Sequence, residues 1–246
     1  WQRLLIMLGG VLMNFVFAMV IYIGILYAWG ESYLPTKNAV YGIEVNEVGE
    51  KIGFQNGDKI LTVDNQYVEK FNKIIPTVVL DNAKSVQVER NGQKVNIEIS
   101  DTDLALLLKS KFPVDFRKPF SIAVSKVDKN YPAKKQGLKK GDEFVSIDGN
   151  KFEFYDEFAA YVRGKKNENI ELGLLRDGKN VNQTVTVAED GKIGFSAVFT
   201  NMDVFEFKTI KYGFLESIPA GINRGVQTTG DYLKQFKLFF KKETKA

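Results

Sequence analysis

The stretch from Ala133 to Gly149, AKKQGLKKGDEFVSIDG, decides the fold, because residues 49–65, GEKIGFQNGDKILTVDN, repeat it in register. Gly53 answers to Gly137, Gly57-Asp58 to Gly141-Asp142 and Val63-Asp64 to Ile147-Asp148, always 84 positions apart. Further on, Arg90-Asn91-Gly92 is echoed by Arg176-Asp177-Gly178 at 86 positions, a drift that a loop insertion explains. Two copies of one module of domain size are therefore expected.

Turn chemistry spaces the elements inside each copy. A β-rich stretch, 41–48 or 121–127, leads into a short helical turn closed by Gly53 or Gly137, since a residue without Cβ enters the left-handed cap cheaply. Gly-Asp then turns the chain into strands over 60–63 and 144–147, each followed by a turn pair, Asp64-Asn65 or Asp148-Gly149. A helix is expected over 68–80 and over 154–163, where Phe154, Phe158 and Tyr161 or Val162 have helical spacing. Two strands joined at Asn91-Gly92 or Asp177-Gly178 complete each copy.

Upstream of the repeat, no charge occurs from Leu4 to Trp29, and 26 helical residues outreach a hydrocarbon core of ~30 Å. That predicts a transmembrane helix; the apolar part of a signal peptide is only ~7 to 15 residues. Arg3 precedes the span and Glu31 is the first charge after it, so the positive-inside rule puts Trp1 in the cytoplasm and everything past Trp29 outside. Tyr22, Tyr27, Trp29 and Tyr33 gather toward the far end, as interfacial rings do. Gly9, Gly10 and Asn14 fall on neighbouring turns and are expected to form a helix-packing face. A start at Trp1 rather than Met suggests a piece of a longer protein.

Downstream, Ile210, Phe214, Ile218, Ile222 and Val226 recur every four residues, and Leu233, Phe236 and Phe240 continue the apolar face. Lys208, Lys211, Arg224, Lys234, Lys237, Lys241 and Lys242 supply a basic one. Pro219 and Gly230 should break this tail into two or more helices, either interfacial or packed on a membrane core, since no uncharged stretch is long enough to span.

Composition removes much chemistry. The sequence has neither cysteine nor histidine, so no Ser-His, Cys-His or His-zinc mechanism can be assembled from it. A formal charge of +4, spread along the chain, leaves no nucleic-acid footprint. Asp101 and Asp103 lack the glycine and glutamate of a calcium loop and read as a solvated turn. No phosphate-cradling or nucleophile-elbow motif occurs.

The helix ending A-x-x-x-G-L followed by x-x-G-D-x-I-x-x-I-D-G resembles the bacterial PDZ signature, at Ala133–Gly149 closely and at Gly49–Asn65 more weakly. Gly10–Ala18, GVLMNFVFA, resembles the start of the second membrane helix of bacterial site-2 proteases of the RseP kind, with Val11 where proline is common. The resemblance implies a membrane helix plus α+β fold. In it, 1–34 would be the transmembrane helix, 35–112 and 113–200 two tandem PDZ domains, and 201–246 amphipathic membrane-associated helices. Each PDZ domain would be a small, partly open β-barrel with two helices.

PDZ domains take an extended peptide as an added edge strand and capture its carboxylate with backbone N–H groups. In the second copy the loop is expected at Lys118, Pro119, Phe120 and Ser121, the strand at Ile122 to Val124, and the facing helix to offer Phe158 and Val162. These apolar residues could equally be core. In the first copy the counterparts would be 40–45 with Ile74 and Val78, under a poorer signature.

The same resemblance implies a membrane-embedded zinc metalloendopeptidase that cuts transmembrane segments of pre-trimmed substrates, such as an anti-sigma factor. Its H-E-x-x-H and L-D-G zinc-ligand motifs do not occur here. Zinc would belong to the full-length protein and none to this chain, which would be its non-catalytic middle, with the PDZ pair as a size gate. Membrane lipid would be a partner and nucleic acid would not; the setting would be the bacterial inner membrane with the PDZ domains in the periplasm. A membrane-anchored tandem-PDZ scaffold without catalysis is the rival reading.

Overall fold

A computed structural model describes the backbone of residues 2–238 and the side chains of 9–236. The helices are α1 (Gln2–Trp29), α2 (Glu47–Ile52), α3 (Ile74–Leu80), α4 (Asp101–Lys109), α5 (Pro132–Lys135), α6 (Tyr155–Gly164) and α7 (Phe214–Leu238). The strands of the first half are β1 (Glu31–Tyr33), β2 (Ile43–Val45), β3 (Lys59–Val63), β4 (Ser85–Arg90), β5 (Gln93–Glu98) and β6 (Val114–Phe116). Those of the second are β7 (Ile122–Val127), β8 (Glu143–Ile147), β9 (Asn169–Arg176), β10 (Lys179–Thr186), β11 (Phe195–Phe199) and β12 (Lys208–Ile210). The chain divides into two compact units, one of Trp1–Ala39, Val45–Val114 and Glu206–Ala246, the other of Val40–Glu44 and Asp115–Phe205.

In the first unit, residues 9–29 of α1 are long and apolar enough to cross a membrane. The tail belongs to this unit too, because α7 runs antiparallel along α1. The Phe214 ring meets Tyr27 edge-on at 5.8 Å, Gly221 backs onto Ile23 and Gly225 onto Met19. A Cβ at Gly221 would sit 2.7 Å from the Ile23 backbone nitrogen, so this approach requires glycine. The predicted break is absent: α7 passes through Pro219 and Gly230 as one helix. Pro219 lies one turn from the N-terminus and removes a single hydrogen bond, a cost of ~3 kcal/mol that packing on α1 offsets. Gly9 and Gly10, by contrast, have no neighbour within 4 Å of where a Cβ would stand, and Asn14 is exposed, so the expected packing face is uncovered by the described residues.

The first repeat copy lies in the same unit as a three-stranded antiparallel sheet, β3-β4-β5, with α2, α3 and α4. Asn46 caps α2 by accepting the Val48 and Gly49 N–H groups, and Gly53 at φ 110° closes it. The helix expected over 68–80 is shorter. A 3₁₀ turn at Phe71–Lys73 precedes α3, and Lys70 is held extended by a bridge to Pro35. Asp101 and Asp103, expected in a solvated turn, open α4: Ser100 N–H donates to Asp103 Oδ2 at 2.9 Å and Asp103 N–H to Ser100 Oγ at 3.2 Å, a reciprocal capping box.

The second unit is built on a five-stranded antiparallel sheet in the order β10-β9-β8-β7-β11. Asp177 and Gly178 both have positive φ, 50° and 75°, which a two-residue hairpin turn requires, and they fix the register Lys179↔Arg176 to Thr186↔Asn169. Side chains of Ile122, Val124, Leu138, Ile147, Leu172 and Leu174 fill the core against α6, each burial worth about 1.5–3 kcal/mol.

One device recurs in both copies. Asp142, fully buried, accepts Arg176 Nε at 2.6 Å and Nη2 at 2.7 Å, while Arg176 Nη2 also donates to the Gly137 carbonyl at 2.9 Å. Asp58 accepts Arg90 Nε and Nη2 at 2.7 Å each, and Arg90 donates to the Gly53 carbonyl at 2.8 Å. The repeated G-D and R-x-G of the sequence are thus the two halves of a lock tying the helix-capping glycine to the hairpin.

Candidate cleft between strand β11 and helix α6

The expected edge is not open. β11 pairs antiparallel along β7, from Phe195↔Val127 to Phe199↔Ile122, with a bulge between Ser196 and Ala197. Ile122 and Val124 are sealed in the core, Phe120 packs among Phe144, Phe152 and Phe158, and Ser121 is bound to Thr200, whose N–H donates to its carbonyl at 2.8 Å. Lys118, expected in the capturing loop, donates to Glu44 at 3.0 Å and Asp115 at 2.8 Å. The loop and strand assignments of 118–124 are therefore corrected: a strand from the end of the module covers that edge.

Phe158 and Val162 do line a cleft, of about 430 Å³, whose other wall is β11 and the loop before it. β11 is the outer strand of the sheet, so one edge pairs with β7 and the other borders the cleft. Phe195 stacks on Phe144 at 4.8 Å and Phe199 meets Tyr155 edge-on at 5.1 Å, which fixes the strand at both ends. The start of α6 is fixed by Arg117, which donates to Asp156 at 3.0 Å and Glu157 at 3.0 Å and lies 3.7 Å from the Phe154 ring centre. Ala159 supplies a small residue midway along the helix wall.

The loop leading into β11 turns at Gly191 and Gly194, with φ of 75° and 90°. Gly194 lies under the Tyr131 ring so closely that a Cβ there would overlap it. The Tyr131 hydroxyl donates to Asp190 at 2.6 Å and Lys192 pairs with Asp190 at 2.9 Å. That hydrogen bond raises the Tyr131 pKa and, with Lys192, holds the Asp190 carboxyl below its usual range. The Ile193 and Gly194 N–H groups find no acceptor among the described residues. Two free donors at the head of an edge strand, beside an apolar cleft, can hold a carboxylate and add a peptide strand.

In the first copy Ile74 and Val78 are completely buried and serve as core. Among the described residues no group of three or more His, Cys, Asp or Glu could hold a metal. Tyr131, Gly194 and β11 escaped the sequence reading; the alternation Ile193-Gly194-Phe195, a glycine between large apolar residues before a strand, is the signal that marks them.

A family model described as PDZ domain matches residues 106–187, which ends before β11. Over 242 residues the chain is 25% identical to "Regulator of sigma E protease" of Haemophilus influenzae, covering 91% of this chain and 52% of that protein. It is 30% identical over 125 residues to a "Putative zinc metalloprotease" of Mesorhizobium japonicum, covering 46% of this chain and 34% of that protein. The PDZ domain of an SdrC-like protein of Listeria monocytogenes aligns in structure with 27% identity, 32% of this chain, 88% of that one and a TM-score of 0.29. The class is thus a PDZ-containing chain with an apolar helix. The relatives it matches are named as a regulator of sigma E protease and zinc metalloproteases, and the chain spans about a third to a half of their length.

Proposed function

We propose that this chain is the non-catalytic middle of a membrane-embedded zinc metalloprotease that cleaves transmembrane segments of substrates already shortened outside the membrane. The observation that carries this is the relationship over nearly its whole length to a regulator of sigma E protease. The zinc does not fit here, since the sequence offers neither imidazole nor thiolate, and no step of the cleavage is assigned to these residues. The first copy is read as a second PDZ domain on the strength of the shared Asp-Arg lock. The pair is read as a gate that keeps bulky outer domains of substrates, an anti-sigma factor among them, away from the membrane site. The setting is the bacterial inner membrane, with both copies on the periplasmic side.

A second reading is favoured by the free N–H pair and the open edge of β11: the cleft recognises a peptide end. Gate and reader separate in the full-length enzyme. Ala159→Arg, which fills the cleft, leaves cleavage of a pre-trimmed substrate within a few-fold of wild type if the pair is a gate, while deleting residues 40–205 admits untrimmed substrate. Loss of trimmed-substrate cleavage by a folded Ala159→Arg protein would establish the cleft as a recognition site and end the pure gate reading.

A further inference from the structure

A second cavity, about 720 Å³ and well within ligand-binding size, opens in the first unit where α1 ends, between α1, β12 and the first half of α7. Its lining is apolar at Leu26, Ile210, Pro219 and Ala220 and cationic at Lys70, Lys211 and Arg224. Glu31 is the carboxylate between them, and its Oε1 alone takes both Lys70 at 2.6 Å and Arg224 at 3.3 Å. One negative charge under two cations leaves that cluster with net positive charge. Glu216, the other carboxylate, is committed through Oε2 to the Gly213 N–H at 2.9 Å. Lys211 has no ion-pair partner among the described residues, and Asn223 and Gln227 add amide donors. Burial, then the neighbouring Glu31, raises the Tyr212 pKa, so its hydroxyl stays a donor.

Net positive charge, surplus donors and one hydrocarbon wall meet at the end of a membrane-length helix. We propose that this cavity holds the phosphate diester of a glycerophospholipid, with the phosphate between Lys211 and Arg224 and the acyl chains leaving past Leu26 along α1. Guanidinium and ammonium groups suit phosphate oxygens, and Arg224 can exchange its long contact with Glu31 for one of them. Charge and apolar wall are both required, which separates a lipid from a free anion.

The test uses the full chain in a neutral maltoside detergent, with native mass spectrometry during titration by dioctanoyl phosphatidylglycerol. Wild type binds one lipid, and Lys211→Gln/Arg224→Gln binds it about tenfold more weakly or worse, as loss of two cationic contacts implies. Ala220→Phe, which narrows the cavity without touching charge, weakens binding as well, and excess inorganic phosphate does not displace the lipid. Displacement by phosphate would make this a free-anion site, equal binding of dioctanoylglycerol would make it a hydrocarbon pocket, and unchanged affinity of the folded double variant would remove the site; each overturns the proposal.

Discussion

Asp142 shows how a single buried carboxylate holds a module together. Burial opposes its charge, yet the Arg176 guanidinium and the Lys139 N–H outweigh that and keep its carboxyl below the usual range. A folded pKa below the unfolded one means the stabilisation is complete above the unfolded value, near ~4, and is lost as pH falls through the folded value. Asp142→Asn should therefore cost about 2–4 kcal/mol at neutral pH, less than for a wholly buried pair because Arg176 stays partly solvated. Hydrogen exchange of the β8 and β9 amides checks this: protection should fall, and its loss on acidification below pH ~4 should shrink in the variant. Wild-type protection would show that the lock is dispensable. These residues were legible because G-D recurs 84 positions on and R-x-G 86; that they bond to each other was not, since 34 positions separate them in the second copy.

At the scale of elements, turns and caps were legible and edges were not. Asn91-Gly92 and Asp177-Gly178 imposed their hairpins because the required positive φ is a property of two residues alone. The continuity of α7 is a tertiary effect, hidden from any local count of Pro and Gly. Its test is Gly221→Val, whose side chain must displace Ile23 backbone. In this cysteine-free chain, Tyr27→Cys with Phe214→Cys should be bridged by a short bis-maleimide, and adding Gly221→Val should abolish most of that cross-linking. Undiminished cross-linking would mean that the helices do not depend on this contact. The cleft was misplaced for a related reason: β7 has every local mark of an edge strand, and only the return of β11 shows that the edge is taken.

For the whole molecule, the repeat and the apolar helix carried the organisation, whereas the association of the tail with α1 and the first copy was beyond local reading. The proposed orientation has a direct check. Lys129→Cys, on an exposed turn, should react with a membrane-impermeant maleimide in intact spheroplasts. Protection until lysis would reverse the topology.

The order in which the second sheet is completed has a consequence for biosynthesis. β11 follows its partner β7 by 68 residues, so a chain growing from its N-terminus delivers β7 long before the strand that closes its outer edge. During that interval β7 pairs with β8 along one edge only, and its other edge stays open to any neighbouring chain. Completion of β11 at Phe199 ends that exposure.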